Sequence, residues 1–208
     1  MSEPTAIPPT LDYVAAARWP VRVAPHVLGA GLVLAVLAAL PASPSDLDRH
    51  QLPKETLVHV ATWLAVMLAR PFPAFGLRRA SIWSGILLLA VTLAAAAGAT
   101  NLWIAARATS LTITALAAFV TARHLAALGA APVLLGWAAA AGTIGTATGL
   151  AQAYGLSSPL FASTRAPGGT FGNRNFMAHF AALALPVAAL VALSGRRLHA
   201  IGGAALTT

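Results

Sequence analysis

The fold class this sequence predicts is all-α: a polytopic integral membrane protein. Three observations predict it. Of its 208 residues 58% are hydrophobic and 9% charged, with a mean hydropathy of +0.77, whereas a soluble domain carries about 25% charged residues. The apolar residues gather in successive runs, most of them near the roughly 20 residues a helix needs to cross a hydrocarbon core. The formal net charge is +8, but the basic residues are scattered between the apolar runs and form no stripe. That distribution points to a membrane surface and not to nucleic acid.

Met1–Arg22 reads as a polar cytoplasmic tail, with Arg18 and Arg22 beside the first apolar run. Residues 23–208 form the transmembrane helical domain, with about six to seven helices that belong to a larger bundle. The first span is about Val23–Leu40, read as an uncleaved anchor because a long segment leads into it and more spans follow. A cleaved signal peptide is the alternative, since Pro41-Ala42-Ser43 comes next. Pro41–Lys54 is a loop. Its end, Leu52-Pro53-Lys54-Glu55, resembles a helix start with proline at the first position. The second span is about Glu55–Ala69, with Lys54 and Arg70 placed to snorkel.

Arg70–Ser81 is a proline-containing turn, and the third span is about Ile82–Ala99. A short loop, Thr100–Ala108, carries Trp103, which suits an interfacial belt. The fourth span is about Thr109–Leu125. The fifth, about Pro132–Ala153, holds Gly136, Gly142, Gly145 and Gly149. The last two form a GxxxG spacing that lets helices approach closely in lipid. After the loop Tyr154–Arg174 comes a sixth span, about Asn175–Leu193, which Pro186 should kink. Ser194–His199 is a basic turn, and residues 200–208 begin a further apolar segment.

Counting Lys and Arg on alternate sides puts 8 inside and 5 outside if the N-terminus is cytoplasmic. The bias favours that orientation and places the 165–175 loop on the outer, periplasmic face.

Chemistry is constrained by what is missing. The chain has no cysteine, hence no disulfide and no thiolate metal site. Its five acids (Glu3, Asp12, Asp46, Asp48, Glu55) all lie in the first 55 residues. The rest of the chain therefore supplies no carboxylate base, no acidic magnesium site and no carboxylate proton relay. No metal or cofactor is expected.

The segment Arg165–Phe180, RAPGGTFGNRNFMAHF, stands out. Gly168, Gly169 and Gly172 allow positive φ and close approach of a ligand. Asn173 and Asn175 are good caps for a helix starting at Phe176. Arg165 and Arg174 add two positive charges with no acid nearby. Two readings fit: a capped membrane helix with ordinary flanking arginines, or an anion site made of amides, asparagines and guanidiniums at a helix N-terminus.

The run Gly169-Thr170-Phe171-Gly172-Asn173-Arg174-Asn175, leading into Phe176-Met177-Ala178 and an apolar helix, resembles a signature of the bacterial O-antigen ligase and O-antigen polymerase family. Arg165 corresponds to the family's upstream arginine, and Asn173 and Asn175 to its two asparagines. Arg174 stands where the family often has proline. The specific match covers roughly 20 residues. The resemblance implies a metal-independent membrane glycosyltransferase acting at the periplasmic face of the inner membrane. It would take a glycan from an undecaprenyl-diphosphate-linked donor and pass it to lipid A core, to a polysaccharide or to a pilin. It also implies that these residues are the N-terminal portion of a longer chain. In this reading Arg165 contacts the diphosphate or an acceptor phosphate, and Arg174 contacts phosphate. Gly168, Gly169, Thr170, Gly172, Asn173 and Asn175 shape the substrate loop. For Arg174 a contact to lipid headgroups is the alternative.

His179 falls one turn into the sixth helix. It is either a satisfied intramembrane hydrogen-bond partner or a general base, neutral imidazole being the one base near pH 7 in this region. His50 is expected to be solvated in an outer loop. The rival functions are a transporter or flippase of an anionic lipid-linked sugar, binding with the same cationic loop, and a non-catalytic membrane scaffold.

Overall fold

A computed structural model describes residues 19–41, 46–70, 79–161 and 165–205. The predicted tail up to residue 18, the part of the proline-containing turn at 71–78 and residues 206–208 lie outside the described residues. The described residues are all helical in their regular structure, with no strand. In chain order the helices are α1 (Trp19–Leu37), α2 (Asp46–Ala69), α3 (Arg79–Ala97), α4 (Leu102–Leu125), α5 (Ala131–Ala153) and α6 (Arg174–Ala205). A wide-turn π segment, Ala126–Ala130, joins α4 to α5. A single 3₁₀ turn, Gly169–Phe171, precedes α6.

Among the described residues, four helical stretches are long and apolar enough to cross a membrane: Trp19–Leu37, Ala80–Ala97, Leu102–Ala153 and Arg174–Ser194. The third runs to 52 residues, or about 78 Å at 1.5 Å per residue, far more than a hydrocarbon core of roughly 30 Å. Gly129, at φ 89° and ψ 1°, breaks it. The break falls between the fourth and fifth predicted spans. These helices are compatible with a multi-pass membrane protein.

Several boundaries differ from the sequence expectation, each for a local reason. Helix α4 starts at Leu102 because Asn101 caps it, its Oδ1 accepting from the Ile104 amide at 3.1 Å. The predicted loop to Ala108 is therefore mostly helix. Helix α6 continues through Pro186 and the expected 194–199 turn to Ala205, so no separate seventh element begins at residue 200.

Helix α2 starts nine residues before the predicted Glu55, and Pro53 lies inside it. An internal proline has no N–H to give the carbonyl four residues back. Here that carbonyl belongs to Arg49, and the Leu40 amide donates to it at 2.9 Å. The helix survives because its orphaned acceptor is satisfied from outside. The predicted span Glu55–Ala69 thus becomes part of a 24-residue helix that is not among the four apolar stretches.

The chain divides into two compact units. One comprises Met1–Leu28 and Thr62–Leu134. Its core gathers Ala24, Ala69, Leu125 and Ala130, with Val21, Leu68 and Leu134 packed around them. In it α3 pairs with α4, and α3 leaves Trp83, Ile86, Leu87 and Val91 exposed.

The other unit comprises Gly29–Ala61 and Leu135–Thr208. Small residues let its helices touch. Gly31 of α1 meets Ala61 of α2, and Gly29 meets Trp137 of α5. A stripe on α5 packs on α6 in antiparallel register: Gly142 against Ala184, Gly145 against Phe180 and Gly149 against Met177. The GxxxG spacing is a packing device, as its sequence suggests.

Gly142 and Gly136 make a controlled comparison. A methyl group on Gly142 would sit 2.7 Å from the Ala184 Cβ, whereas one on Gly136 would meet nothing within 4 Å. Gly142→Ala is expected to destabilise by about 1–3 kcal/mol through overpacking. Gly136→Ala is expected to be neutral or slightly stabilising. Thermal unfolding in detergent measures both.

Candidate functional site

The glycine-rich segment folds as a short loop held on three sides within the second unit. From α5, the Gln152 side-chain oxygen accepts from the Gly168 and Gly169 amides at 2.9 and 2.8 Å. From α1, the Val36 carbonyl accepts from the Thr170 hydroxyl at 2.5 Å. From α2, His50 Nδ1 lies 3.1 Å from the Thr170 carbonyl. A carbonyl can only accept, so Nδ1 carries the proton in this contact. Gly168, Gly169 and Thr170 are buried.

Two glycines are required by geometry. Gly169 has φ 50° and Gly172 φ 74°, in the left-handed region that side chains disfavour. A Cβ on Gly169 would reach the Gly149 amide nitrogen at 2.7 Å, and one on Gly172 would strike the His50 ring. Gly168 has φ −119°, so it does not need the freedom the sequence suggested. Its role is to bring an amide to Gln152.

Asn173 caps α6 as expected, its Oδ1 accepting from the Asn175 amide at 2.9 Å. Asn175 is not a cap; it lies exposed in the first turn. The Arg174 amide donates to the Arg165 carbonyl at 3.0 Å. This one bond closes the loop and ties the two arginine positions together. Both side chains are exposed, and among the described residues neither guanidinium has a hydrogen-bond or ion-pair partner. His179 is exposed too. It follows Asn175 by four residues, so the two share one face of α6.

The anion site that the sequence suggests is therefore only partly assembled. The amides of Gly168 and Gly169 are occupied by Gln152, and those of Arg174 and Asn175 by the Arg165 carbonyl and Asn173. Arg165, Arg174, Asn175 and His179 are all exposed.

Sequence reasoning missed the supports. His50, expected in a solvated loop, is 2% exposed inside α2. Arg49 donates from Nε to the Leu40 carbonyl at 2.7 Å and from Nη2 to the Phe161 carbonyl at 3.4 Å. Lys54 does not snorkel. Its Nζ donates to the carbonyls of Ala35, Val36 and Ala38 at 2.9, 3.2 and 2.7 Å, and it sits 4.8 Å from the Phe171 ring centroid. One signal was available: Lys54 is the chain's sole lysine among 13 basic residues. The Phe171 ring also packs on Phe180 of α6, with centroids 4.6 Å apart.

No family model, curated protein or solved structure matches this chain.

Two expectations follow. Gln152→Leu leaves two buried amides without their acceptor, at a cost of about 1–3 kcal/mol. Limited proteolysis should then cut the 165–173 loop faster than in the wild type. The second concerns Lys54, which lies outside the four apolar stretches. Burial pushes its ammonium down from 10.5 to about 8. Between those values the unfolded chain holds a proton that the folded chain has lost, so stability rises with pH across that window and is lowest below it. The Tm should climb from pH 8 to 10 in the wild type. Lys54→Arg, which keeps its charge throughout, should flatten that rise.

Proposed function

We propose that this chain carries part of the donor site of a metal-independent glycan transferase of the O-antigen ligase and polymerase type. The donor would be a glycan on undecaprenyl diphosphate. The acceptor would be lipid A core, a polysaccharide or a pilin. The site would work at the periplasmic face of the bacterial inner membrane, with the N-terminus cytoplasmic.

One observation carries the reading. Arg165 and Arg174 are joined by a backbone hydrogen bond at the start of an apolar helix, both exposed, in a chain with no carboxylate after Glu55. When a glycan leaves a lipid diphosphate, negative charge grows on the departing phosphate. Positioned guanidiniums stabilise that charge through bidentate, charge-assisted hydrogen bonds. The acceptor hydroxyl must lose a proton. His179, on the Asn175 face of α6, is the base available for it.

The test uses the full-length reading frame in a strain lacking it. Arg165→Ala and Arg174→Ala are each expected to lower glycan transfer by about 10²–10³-fold, and Asn175→Ala to abolish it, with expression and membrane insertion unchanged. Expressed by itself, this chain has no cysteine, so Arg165→Cys gives it a single labelling site for a membrane-impermeant maleimide. Normal transfer in both arginine variants reduces the loop to a helix cap. Labelling from the cytosolic side alone ends the reading.

A further inference from the structure

The chain's one lysine is placed where the glycine-rich turn meets the end of α1. An ammonium has three N–H donors, and Lys54 uses them on three carbonyls, those of Ala35, Val36 and Ala38. These are last-turn and following carbonyls of α1, where intrahelical partners run out; that of Ala35 also accepts from the Ala38 amide at 3.3 Å, and all three lie at the negative end of the macrodipole. The ring of Phe171 stands 4.8 Å from the same nitrogen, within the roughly 6 Å over which a cation and an aromatic face attract. The Val36 carbonyl also accepts the Thr170 hydroxyl. Lys54 and Thr170 thus converge on one oxygen, and Phe171 lies against both the cation and α6. On α2, the helix of Lys54, His50 holds the Thr170 carbonyl.

We infer that Lys54 is the positioning residue of the glycine-rich turn, fixing residues 169–172 between α1 and α6 and thereby the place from which Arg165 and Arg174 project. The three donors of Lys54 are all spent on backbone carbonyls. The residue acts through Phe171 and the Val36 carbonyl. What the turn is positioned for rests on the proposed glycan-transfer reading, but the positioning itself does not.

Hydrogen–deuterium exchange at pH 7 on the purified chain in nanodiscs tests it without any transfer assay. Lys54→Met, similar in length and without donors, should speed exchange in a peptide covering 165–173 at least tenfold. A peptide covering 142–149 of α5 should not change. Lys54→Arg keeps the charge and the stacking on Phe171, and should restore protection to within about threefold. Phe171→Leu leaves the three carbonyl bonds in place and removes the ring face, so it should loosen the same peptide even if Lys54→Met does not fold. Unchanged exchange, or a speed-up shared equally by both peptides, overturns the inference. If the local speed-up is seen while Arg165→Ala and Arg174→Ala retain transfer, the functional reading fails and the positioning role stands.

Discussion

The second unit depends on one constraint: backbone polar groups that helices leave over must find partners away from water. The end of α1 has orphaned carbonyls, Pro53 orphans the Arg49 carbonyl, and the buried Gly168–Thr170 turn brings further amides and a hydroxyl. Each is answered by a specific donor or acceptor. Lys54 serves the α1 carbonyls, the Leu40 amide serves Arg49, and Gln152 serves two glycine amides. Cations supply several of these donors. The leftover carbonyl oxygens are the acceptors these cations meet. Lys54 and Arg49 are accordingly bonded to backbone.

Much of the helical layout was legible because apolar length is a strong signal. The Gly142–Gly149 stripe was legible as packing because small residues at helical spacing have few other uses in lipid. The boundaries were less legible. A proline before an apolar run reads as a helix start, and in isolation Pro53 would be one. What extends α2 back to Asp46 is the Leu40 amide, a tertiary partner that no local pattern reveals. His50 looked solvated for the same reason: its burial comes from Thr170, 120 positions away in sequence.

The site was legible in its residue types and misleading in its donors. Glycines, asparagines and arginines before a helix suggest amides aimed at an anion. The amides are there, but Gln152, Asn173 and the Arg165 carbonyl already hold four of them. Gln152 sits in a run of small and apolar residues near the end of α5, and nothing in its surroundings announces a loop 16 residues later as its partner. The glycines therefore serve the loop's shape: Gly169 and Gly172 by positive φ, and Gly168 by delivering its N–H.

That occupation sharpens the electrostatics of Arg174. A cation in the first turn of a helix meets the positive end of the macrodipole, at a cost of about 0.3–1 kcal/mol at an exposed site. The usual relief is an acid in the same turn, and the first turn of α6 has none. The 3.0 Å bond from the Arg174 amide to the Arg165 carbonyl joins the two arginine positions through their backbones. An anion with at least two oxygens would offset the dipole, and phosphate oxygens suit paired guanidiniums. A single headgroup phosphate would satisfy this in part. A diphosphate, with charge on both phosphates, would satisfy it more fully, and most of all as the glycan departs and its negative charge grows. In the proposed glycan-transfer reading, the same juxtaposition would be most stabilising when the leaving group is most charged, which is what transition-state stabilisation asks of a site.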